Sequence, residues 1–461
     1  MGAGRLGQFF EFRKKYPEFI YAGYSISESN KSVGLDFHFI IPGLAEFKPH
    51  WDIVKLSSCS VDLKDNRLNE LVFSLGMVEL VSYWKTTCSP QVHVACGSLS
   101  AAQSDWWKKL YKKGLGEFFY TNGIEVAYDF MSIVSQENRS CPPKENRMSG
   151  NKTKVLIPIG GGKDSAVTLE LLKDHSERFC YIINPRKATL DTVSVSSISN
   201  EKVIVANRTL DENMLALNKQ GFLNGHTPFS ALVAFSSVIA AYIHGIEFIA
   251  LSNESSANES TVLDSDVNHQ YSKSLEFESD FIDYEAKYIS SGVKYFSLLR
   301  PLTEIGIAKI FSRLEKYHSI FQSCNVGSKK DIWCANCPKC LFVYIILSPF
   351  LSEDQMMSIF GKNMLNDSGL MSVFEKLIGL QQEKPFECVG SCDEVNAALQ
   401  ELIRQYESHH TSLPELIRYY KVLGITNKYD VSEMCSSYDE NNHVPERFVQ
   451  IIKNELKQTG G

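Results

Sequence analysis

The residues with the clearest chemical signature form a glycine-rich loop between an apolar strand and a helix. Three contiguous glycines, Gly160 to Gly162, follow the apolar segment 155–159 and precede Lys163. Glycine lets a backbone come close to a phosphate, and the N-terminus of a helix presents free N–H groups and positive potential. Lys163 adds a positive charge. The segment therefore predicts an anion-binding loop formed by Gly160, Gly161, Gly162, Lys163, Asp164 and Ser165.

This loop differs from the two commonest phosphate-binding motifs. A Walker A loop would have Ser or Thr after Lys163, where Asp164 stands, and glycine in place of Ile157. A dinucleotide-binding fingerprint spaces its glycines, whereas these three are contiguous. The simplest alternative is a glycine-rich turn of a parallel sheet, but such turns seldom add Lys-Asp-Ser at the helix entrance.

The loop resembles the motif of the PP-loop ATP pyrophosphatases, Ser-Gly-Gly-x-Asp-Ser followed by a helix. Gly161, Gly162, Asp164 and Ser165 match, while Gly160 stands where that family usually has serine. The resemblance implies cleavage of ATP to AMP and pyrophosphate, with Mg²⁺ shielding the phosphates and a substrate oxygen attacking the α-phosphorus. The product of that step is an adenylated substrate.

A basic element downstream is also similar to this group. Arg300-Pro-Leu302 is followed by Lys309, and the resemblance implies that Arg300 and Lys309 help to bind the nucleotide. The alternative interpretation is an ordinary strand end before a helix.

Four cysteines have the spacing of a metal site. Cys334, Cys337 and Cys340 are each separated by two residues, and Cys324 lies ten positions upstream. Three thiolates at this spacing can converge on one ion, and the fourth can close a tetrahedral, structural zinc site. An iron-sulfur cluster fits less well because a ferredoxin would have cysteine where Tyr344 stands. Unligated thiols are the third interpretation.

A polar segment follows the predicted strand Glu247 to Leu251. Parallel strands bind ligands beyond their carboxyl ends, so Asn253 and Glu254 are expected at the active edge of the sheet, where they could bind Mg²⁺ or a polar ligand. A solvated loop is the alternative. His269, further along, would on its own more often be a structural hydrogen-bonding residue than a base.

The elements that position these residues alternate between short apolar strands and longer helices. Alternation of this kind predicts a doubly wound parallel α/β sheet. We predict four regions: an α+β domain over 1–135, a polar linker over 136–151, a PP-loop-like (HUP-like) domain with the cysteine site over 152–351, and a helical region over 352–461.

The composition and charge of the chain argue against several classes of protein. The chain has 461 residues, 44% of them hydrophobic, and a net charge of −7, which argues against a nucleic-acid-binding protein. The N-terminus lacks the apolar core of a signal peptide, and no segment reads as a membrane span. Twelve cysteines are too few for a disulfide scaffold. We expect a cytoplasmic protein; the sequence does not indicate its oligomeric state.

Further blocks make the chain similar to one family within the PP-loop group, the UDP-N-acetylmuramoyl-L-alanyl-L-glutamate epimerases of the MurL type. The resemblance covers most of both halves, and the combination is far more specific than any single block. The blocks are Tyr83-Trp-Lys85, Gly114 to Gly123, Gly160 to Ser165, Ser252 to Glu259, Asn268 to Phe277, Trp333 to Cys340 and Lys384 to Gly390.

This resemblance implies an ATP-dependent enzyme that inverts the terminal L-glutamate of a nucleotide-sugar peptide. Removing the α-hydrogen beside a free carboxylate would place two negative charges together, and adenylation of the carboxylate removes that obstacle. Our candidates for the base and the proton donor are His269 and Cys388, against the alternatives of a structural histidine and a buried thiol.

Two other functions stay open from the sequence. One is a PP-loop enzyme that adenylates tRNA or a deazapurine base, although the acidic balance and the lack of a basic arm count against tRNA. The other is a non-catalytic, zinc-stabilised binding module, against which the intact Lys163-Asp164-Ser165 segment counts.

Overall fold

A computed structural model describes residues 2–56, 59–136, 153–426, 428 and 430–459, and the chain there folds around one mixed sheet. The strands within these ranges are β1 Glu18–Glu28, β2 Ser32–Ile41, β3 Ala45–Phe47, β4 His50–Val54, β5 Gln91–Ser98, β6 Ser132–Gln136, β7 Lys154–Pro158, β8 Glu177–Ile183, β9 Val203–Thr209, β10 Phe248–Leu251 and β11 Lys294–Ser297.

Helices cover the sheet and make up the C-terminal region. Their bounds are α1 Gly2–Lys15, α2 Asn66–Trp84, α3 Ala101–Gly114, α4 Gly116–Thr121, α5 Lys163–Leu171, α6 Lys187–Val195, α7 Glu212–Lys219, α8 Phe229–Ile243, α9 Leu275–Tyr284, α10 Glu304–Ser312, α11 Glu315–His318, α12 Pro338–Leu347, α13 Glu353–Phe360, α14 Met371–Leu377, α15 Cys392–Ser408, α16 Glu415–Leu423, α17 Val431–Ser436 and α18 Glu446–Thr459.

The sheet has the order β11-β10-β7-β8-β9-β4-β2-β1-β5-β6, with β3 paired to β2. The five strands from β11 to β9 are all parallel, and the chain order along them places β7 in the middle. The order therefore reverses between β7 and β10. In open α/β sheets a ligand crevice forms at such a switch point, beyond the carboxyl ends of the strands.

Strands from both halves of the chain join in this sheet through the antiparallel pair β4–β9. A buried ion pair supports the junction, because Glu79 of α2 accepts a hydrogen bond from Arg208 of β9 at 2.8 Å and another from the indole of Trp51 in β4 at 3.2 Å. Burial of these charges is tolerated since each has a partner.

Two hydrophobic cores lie on opposite faces of the sheet. Successive side chains of a strand point to opposite faces, and in β7 Leu156 packs into one core while Val155 and Ile157 pack into the other. The first core gathers residues 9–295, and the second gathers residues 155–456, including the C-terminal helices.

The sequence predictions of the main elements are confirmed in kind, with ends that shift by a few residues. The predicted strand and helix around the glycine loop are β7 and α5. Ser391 and Glu394 have the sequence spacing of a capping box, which predicts a helix start there, and the box is present at the start of α15. Beyond Ser352 the described elements are all helical. The mixed α/β class is confirmed, and parallel pairs predominate in the sheet.

The predicted linker 136–151 lies, apart from Gln136 at the end of β6, outside the described residues. The predicted domain boundaries stay predictions. Among the described helices, none combines the length and the apolarity needed to cross a bilayer.

Candidate active site

The glycine loop joins the carboxyl end of β7 to α5 at the switch point of the sheet. Gly161 has a φ of +83°, and a Cβ there would lie 3.0 Å from the Cβ of Ala188. Both the backbone conformation and the space therefore require glycine. Gly160 is exposed with open space around its Cα, and Gly162 is the N-cap of α5 without a side-chain cap, which leaves the first N–H groups of the helix available to a ligand.

Lys163 turns inward from this loop and forms a buried ion-pair cluster. Its ammonium group donates to the carboxylates of Asp164 and Glu304, and only 2% of the residue is exposed. Burial lowers the pKa of Lys163, but the two carboxylates outweigh that effect and raise it above its ordinary value. Lys163 is therefore charged and holds the start of α10 against the start of α5.

The two residues after Lys163 differ in exposure. Asp164 keeps about a quarter of its side chain exposed, and although burial opposes ionisation, the charges of Lys163, Lys339 and Lys273 lower its pKa. Ser165 is buried and donates its hydroxyl to the carbonyl of Gly162 at 3.1 Å. An ionised carboxylate thus stands at the entrance of α5.

Arg300 holds together the segments that follow β10. It is fully buried and donates to the carbonyl of Glu254 at 2.5 Å, to the carbonyl of Lys273, and to the carboxylate of Glu278 at 3.0 Å. Glu254 is itself buried at this edge, and Asn253 donates to the hydroxyl of Ser297 at 3.0 Å. Arg300 therefore fixes the loops after β10.

Lys309 lies in the last turn of α10, where its charge acts on the thiol of Cys435 in α17. Glu304, in the first turn of the same helix, contacts Lys163 of the glycine loop. Binding of nucleotide by Arg300 and Lys309 stays a prediction.

Cys388 and His269 lie in contact although 119 positions separate them in the chain. The imidazole of His269 acts on the Cys388 thiol and lowers its pKa, and the ammonium of Lys273 lies 3.3 Å from the same sulfur. Lys339, in the first turn of α12, donates to the carbonyl of Cys388 and fixes the backbone there. Cys388 is therefore surrounded by cationic groups.

The cationic groups around Cys388 favour the ionised form of its thiol. Burial alone would raise the pKa of Cys388, but Lys273, the hydrogen bond from His269 and Lys339 lower it to about 6. Burial likewise lowers the pKa of His269, but hydrogen bonds to Cys388 and Glu117 outweigh it and raise the pKa to about 9. At neutral pH the pair is a thiolate beside an imidazolium.

Glu117 of α4, in the N-terminal half of the chain, also belongs to this site. Its Oε2 lies 2.5 Å from Nδ1 of His269 and 3.3 Å from Nδ1 of His226. The contact between Glu117 and His269 is a hydrogen bond. It is too short for two ligands of one metal ion, because atoms bound at about 2.1 Å from the same ion would lie about 3 Å apart or more. Burial, followed by the charge of His269, lowers the pKa of His226 to about 4, which leaves it neutral.

Two lysines connect the thiolate with the glycine loop. The charge of Lys273 acts on Cys388, Glu254 and Asp164, and that of Lys339 acts on Cys388, Asp164 and Glu304. A continuous set of ionisable groups therefore runs from the phosphate-binding loop to the thiolate and imidazole.

The four predicted cysteine ligands lie together beside this site. The sulfur atoms of Cys334 and Cys340 are 3.6 Å apart, those of Cys337 and Cys340 3.4 Å, and those of Cys324 and Cys337 3.8 Å. Zinc–sulfur bonds of about 2.3 Å in a tetrahedron set sulfur atoms about 3.8 Å apart, so the four thiols fit one ion. We propose that this ion is Zn²⁺ with a structural role.

We expect about one equivalent of zinc in protein purified without chelators. Cys337→Ser should lower the melting temperature by roughly 5 °C or more, because metal binding contributes to folding. Metal analysis and thermal denaturation check this. Cys96→Ser, which removes a half-buried thiol outside the cluster, should keep the metal. A metal-free protein, or one with an iron-sulfur absorption band, would contradict the assignment.

The sequence pattern does not identify several residues of this site. Glu117, Lys273, Lys339 and Glu304 lie inside or beside the motifs named above, but their spacing indicates no chemistry. Lys85 is another: it donates to the carbonyl of Gly225, beside His226, at 2.5 Å, and burial lowers its pKa to about 8. The signal that could have found them is a charged residue within an otherwise apolar, buried segment.

Comparisons with known proteins agree over both halves of the chain. Residues 11–298 match the family model of the MurL N-terminal domain, and residues 318–420 match that of the MurL C-terminal domain. No solved structure matches the chain.

Three curated relatives carry the name UDP-N-acetyl-alpha-D-muramoyl-L-alanyl-L-glutamate epimerase. The protein from Xanthomonas oryzae pv. oryzae is 33% identical over 353 residues, which cover 72% of this chain and 74% of the relative. Those from a Micromonospora species and from Salinispora tropica are 31% and 32% identical, and the matches cover 73% and 72% of this chain and 76% and 73% of those relatives.

Proposed function

The chain belongs to the MurL family of epimerases, and from that membership we propose that it inverts the terminal L-glutamate of UDP-N-acetylmuramoyl-L-alanyl-L-glutamate. We further propose that the reaction consumes ATP, passes through an acyl-adenylate and releases AMP and pyrophosphate. The product would be the D-glutamyl precursor of peptidoglycan.

The observation that carries this proposal is the charged network between the glycine loop and the thiolate. Adenylation needs a site that holds phosphates, and inversion needs groups that act at the adjacent α-carbon. The loop Gly160 to Ser165 supports the first requirement, and the pair Cys388–His269 supports the second. Lys273 touches Cys388 and acts on Asp164, so one bound substrate could meet both parts.

The chemistry explains why both parts are needed. An α-proton next to a carboxylate is very weakly acidic, because its removal would create a second negative charge beside the first. A mixed anhydride with AMP removes the carboxylate charge and withdraws electrons from the α-carbon. A positioned base can then take the proton, and a donor can return one to the other face.

The free N–H groups at the start of α5 suit the ATP phosphates, and the part-exposed carboxylate of Asp164 is of the kind that Mg²⁺ prefers. Mg²⁺, when bound, supplies charge neutralisation at the phosphates. Lys163 and Ser165 keep the loop in place through Glu304 and the Gly162 carbonyl. His269 and Cys388 stay our candidates for the chemistry at the glutamyl group.

Separation of the nucleotide products tests the proposal. The purified protein is incubated with ATP, Mg²⁺ and the L-glutamyl muramoyl dipeptide nucleotide, and we expect AMP, pyrophosphate and D-glutamate in acid hydrolysates of the product. The L-alanyl precursor without glutamate is the matched control and should give none of the three. ADP as the major substrate-dependent product would contradict adenylation.

A further inference from the structure

Glu117, His269 and Cys388 have the arrangement of a nucleophile with its base and the residue that orients the base. Nδ1 of His269 lies 2.5 Å from Glu117 Oε2, which fixes the ring, and the same imidazole acts on the Cys388 thiol, whose sulfur accepts from Lys273 at 3.3 Å. A carboxylate, an imidazole and a thiol in series are the arrangement of an activated nucleophile. The three residues come from α4, from the loop after β10 and from the loop before α15.

The environment of the sulfur favours bond formation to carbon over removal of a proton. Lys273 at 3.3 Å and Lys339 stabilise the thiolate, which lowers its affinity for protons. A thiolate of low basicity is a weak base toward a C–H bond, but it remains a good nucleophile toward an acyl group and is a good leaving group afterwards. These are the properties needed to accept an acyl group and then to release it.

The backbone around Cys388 is held firmly enough for this task. Lys339 binds its carbonyl, and a Cβ on Gly390, two residues later, would lie 2.9 Å from the ring of Phe342 and 3.1 Å from Cγ of Glu304. Gly390 thus lets the segment pass close to α10 and α12. Because Glu304 also binds Lys163, this packing connects the Cys388 segment to the phosphate-binding loop.

A buried acceptor without a partner among the described residues belongs to a side chain that contacts the Cys388 segment. Gln270 is 7% exposed, and its Nε2 donates to the carbonyl of Val389, the residue after Cys388, at 3.2 Å. Its Oε1 has no hydrogen-bond partner among the described residues. A buried amide oxygen of this kind is costly unless a ligand satisfies it, and an amide N–H of a peptide substrate has the required chemistry.

We propose that Cys388 receives the glutamyl acyl group from the adenylate and holds it as a thioester. The thiolate sulfur attacks the carbonyl carbon of the mixed anhydride, the bond from that carbon to the phosphate oxygen breaks, and AMP leaves with the electron pair. After inversion at the α-carbon, water attacks the thioester carbonyl and Cys388 leaves as the thiolate. His269 then stays our candidate for the group that moves the proton at the α-carbon. This inference rests on the proposed adenylation.

Rapid acid quenching of the full-length enzyme with ATP, Mg²⁺ and the L-glutamyl muramoyl dipeptide nucleotide tests it. We expect wild-type protein whose mass is increased by that of the substrate less one water, with the addition mapped to Cys388 and removed by neutral hydroxylamine. Cys388→Ala should form about one equivalent of pyrophosphate without the adduct, and its release of AMP should fall by about 10² or more. Cys392→Ala, four residues further on, should behave as the wild type.

The two proposals fail in different ways. Absence of pyrophosphate from the wild type would overturn the adenylation and the thioester together. Pyrophosphate from the wild type with Cys388 unmodified at every quench time would overturn the thioester alone, as would release of AMP by Cys388→Ala at a rate within threefold of the wild type.

Discussion

Replacing Asp164 or Ser165 by alanine is expected to lower the rate of substrate-dependent pyrophosphate release by about 10² or more while leaving the fold intact. Asp164 is the part-exposed carboxylate at the entrance of α5, and its lowered pKa keeps it ionised at neutral pH. Ser165 anchors the loop through the Gly162 carbonyl. Loss of one preorganised contact to the reacting phosphates costs a factor of this size. A coupled pyrophosphate assay measures it.

A matched control separates this effect from a general loss of stability. Glu212 is an exposed acid in the first turn of α7, a helix that follows a strand of the same sheet, as α5 does. Glu212→Ala should keep the wild-type rate. Melting temperatures of all three variants should lie close to that of the wild type, because Lys163 keeps Glu304 as a partner when Asp164 is removed. Near-normal turnover by both loop variants would show that the loop is only a scaffold.

Local signals in the sequence were sufficient for the elements around the loop. Three glycines after an apolar run predicted the turn between β7 and α5, and Ser391 with Glu394 predicted the start of α15. Both depend on neighbours within a few residues, such as a positive φ at Gly161 or a reciprocal cap. The cysteine spacing likewise brought four thiols together, as predicted.

Long-range features were not predictable in the same way. The pairing of β4 with β9 merges strands from both halves into one sheet, and no local pattern encodes it. Helix α2 is buried on all sides from Leu71 to Trp84, and Glu79 is tolerated among these residues because Arg208 neutralises it. Glu117 could not be assigned to the site from the sequence either, because its partner, His269, is 152 positions away.

Inversion is expected to place one deuterium at the α-carbon of the glutamyl product when the reaction runs in D₂O, and only when ATP is present. With the carboxylate free, proton removal would create two adjacent negative charges, whereas the activated acyl group spreads one charge onto its carbonyl oxygen. The same acidification applies to the adenylate and to the thioester. Mass spectrometry of the released glutamate measures the label, and ATP-independent labelling would contradict activation of the carboxylate.

The same assay identifies the residue that moves the proton. His269→Asn should still release pyrophosphate, because adenylation depends on the glycine loop and on neither His269 nor the Cys388 thiolate, but its incorporation of deuterium should fall by about 10² to 10⁴. His226→Asn is the matched control: its imidazole also faces Glu117, but at 3.3 Å and in the neutral form, so labelling should remain near the wild-type level. If His269→Asn labels the product normally, the α-proton is taken by another group, and the hydrogen bond between Glu117 and His269 serves only the thiolate.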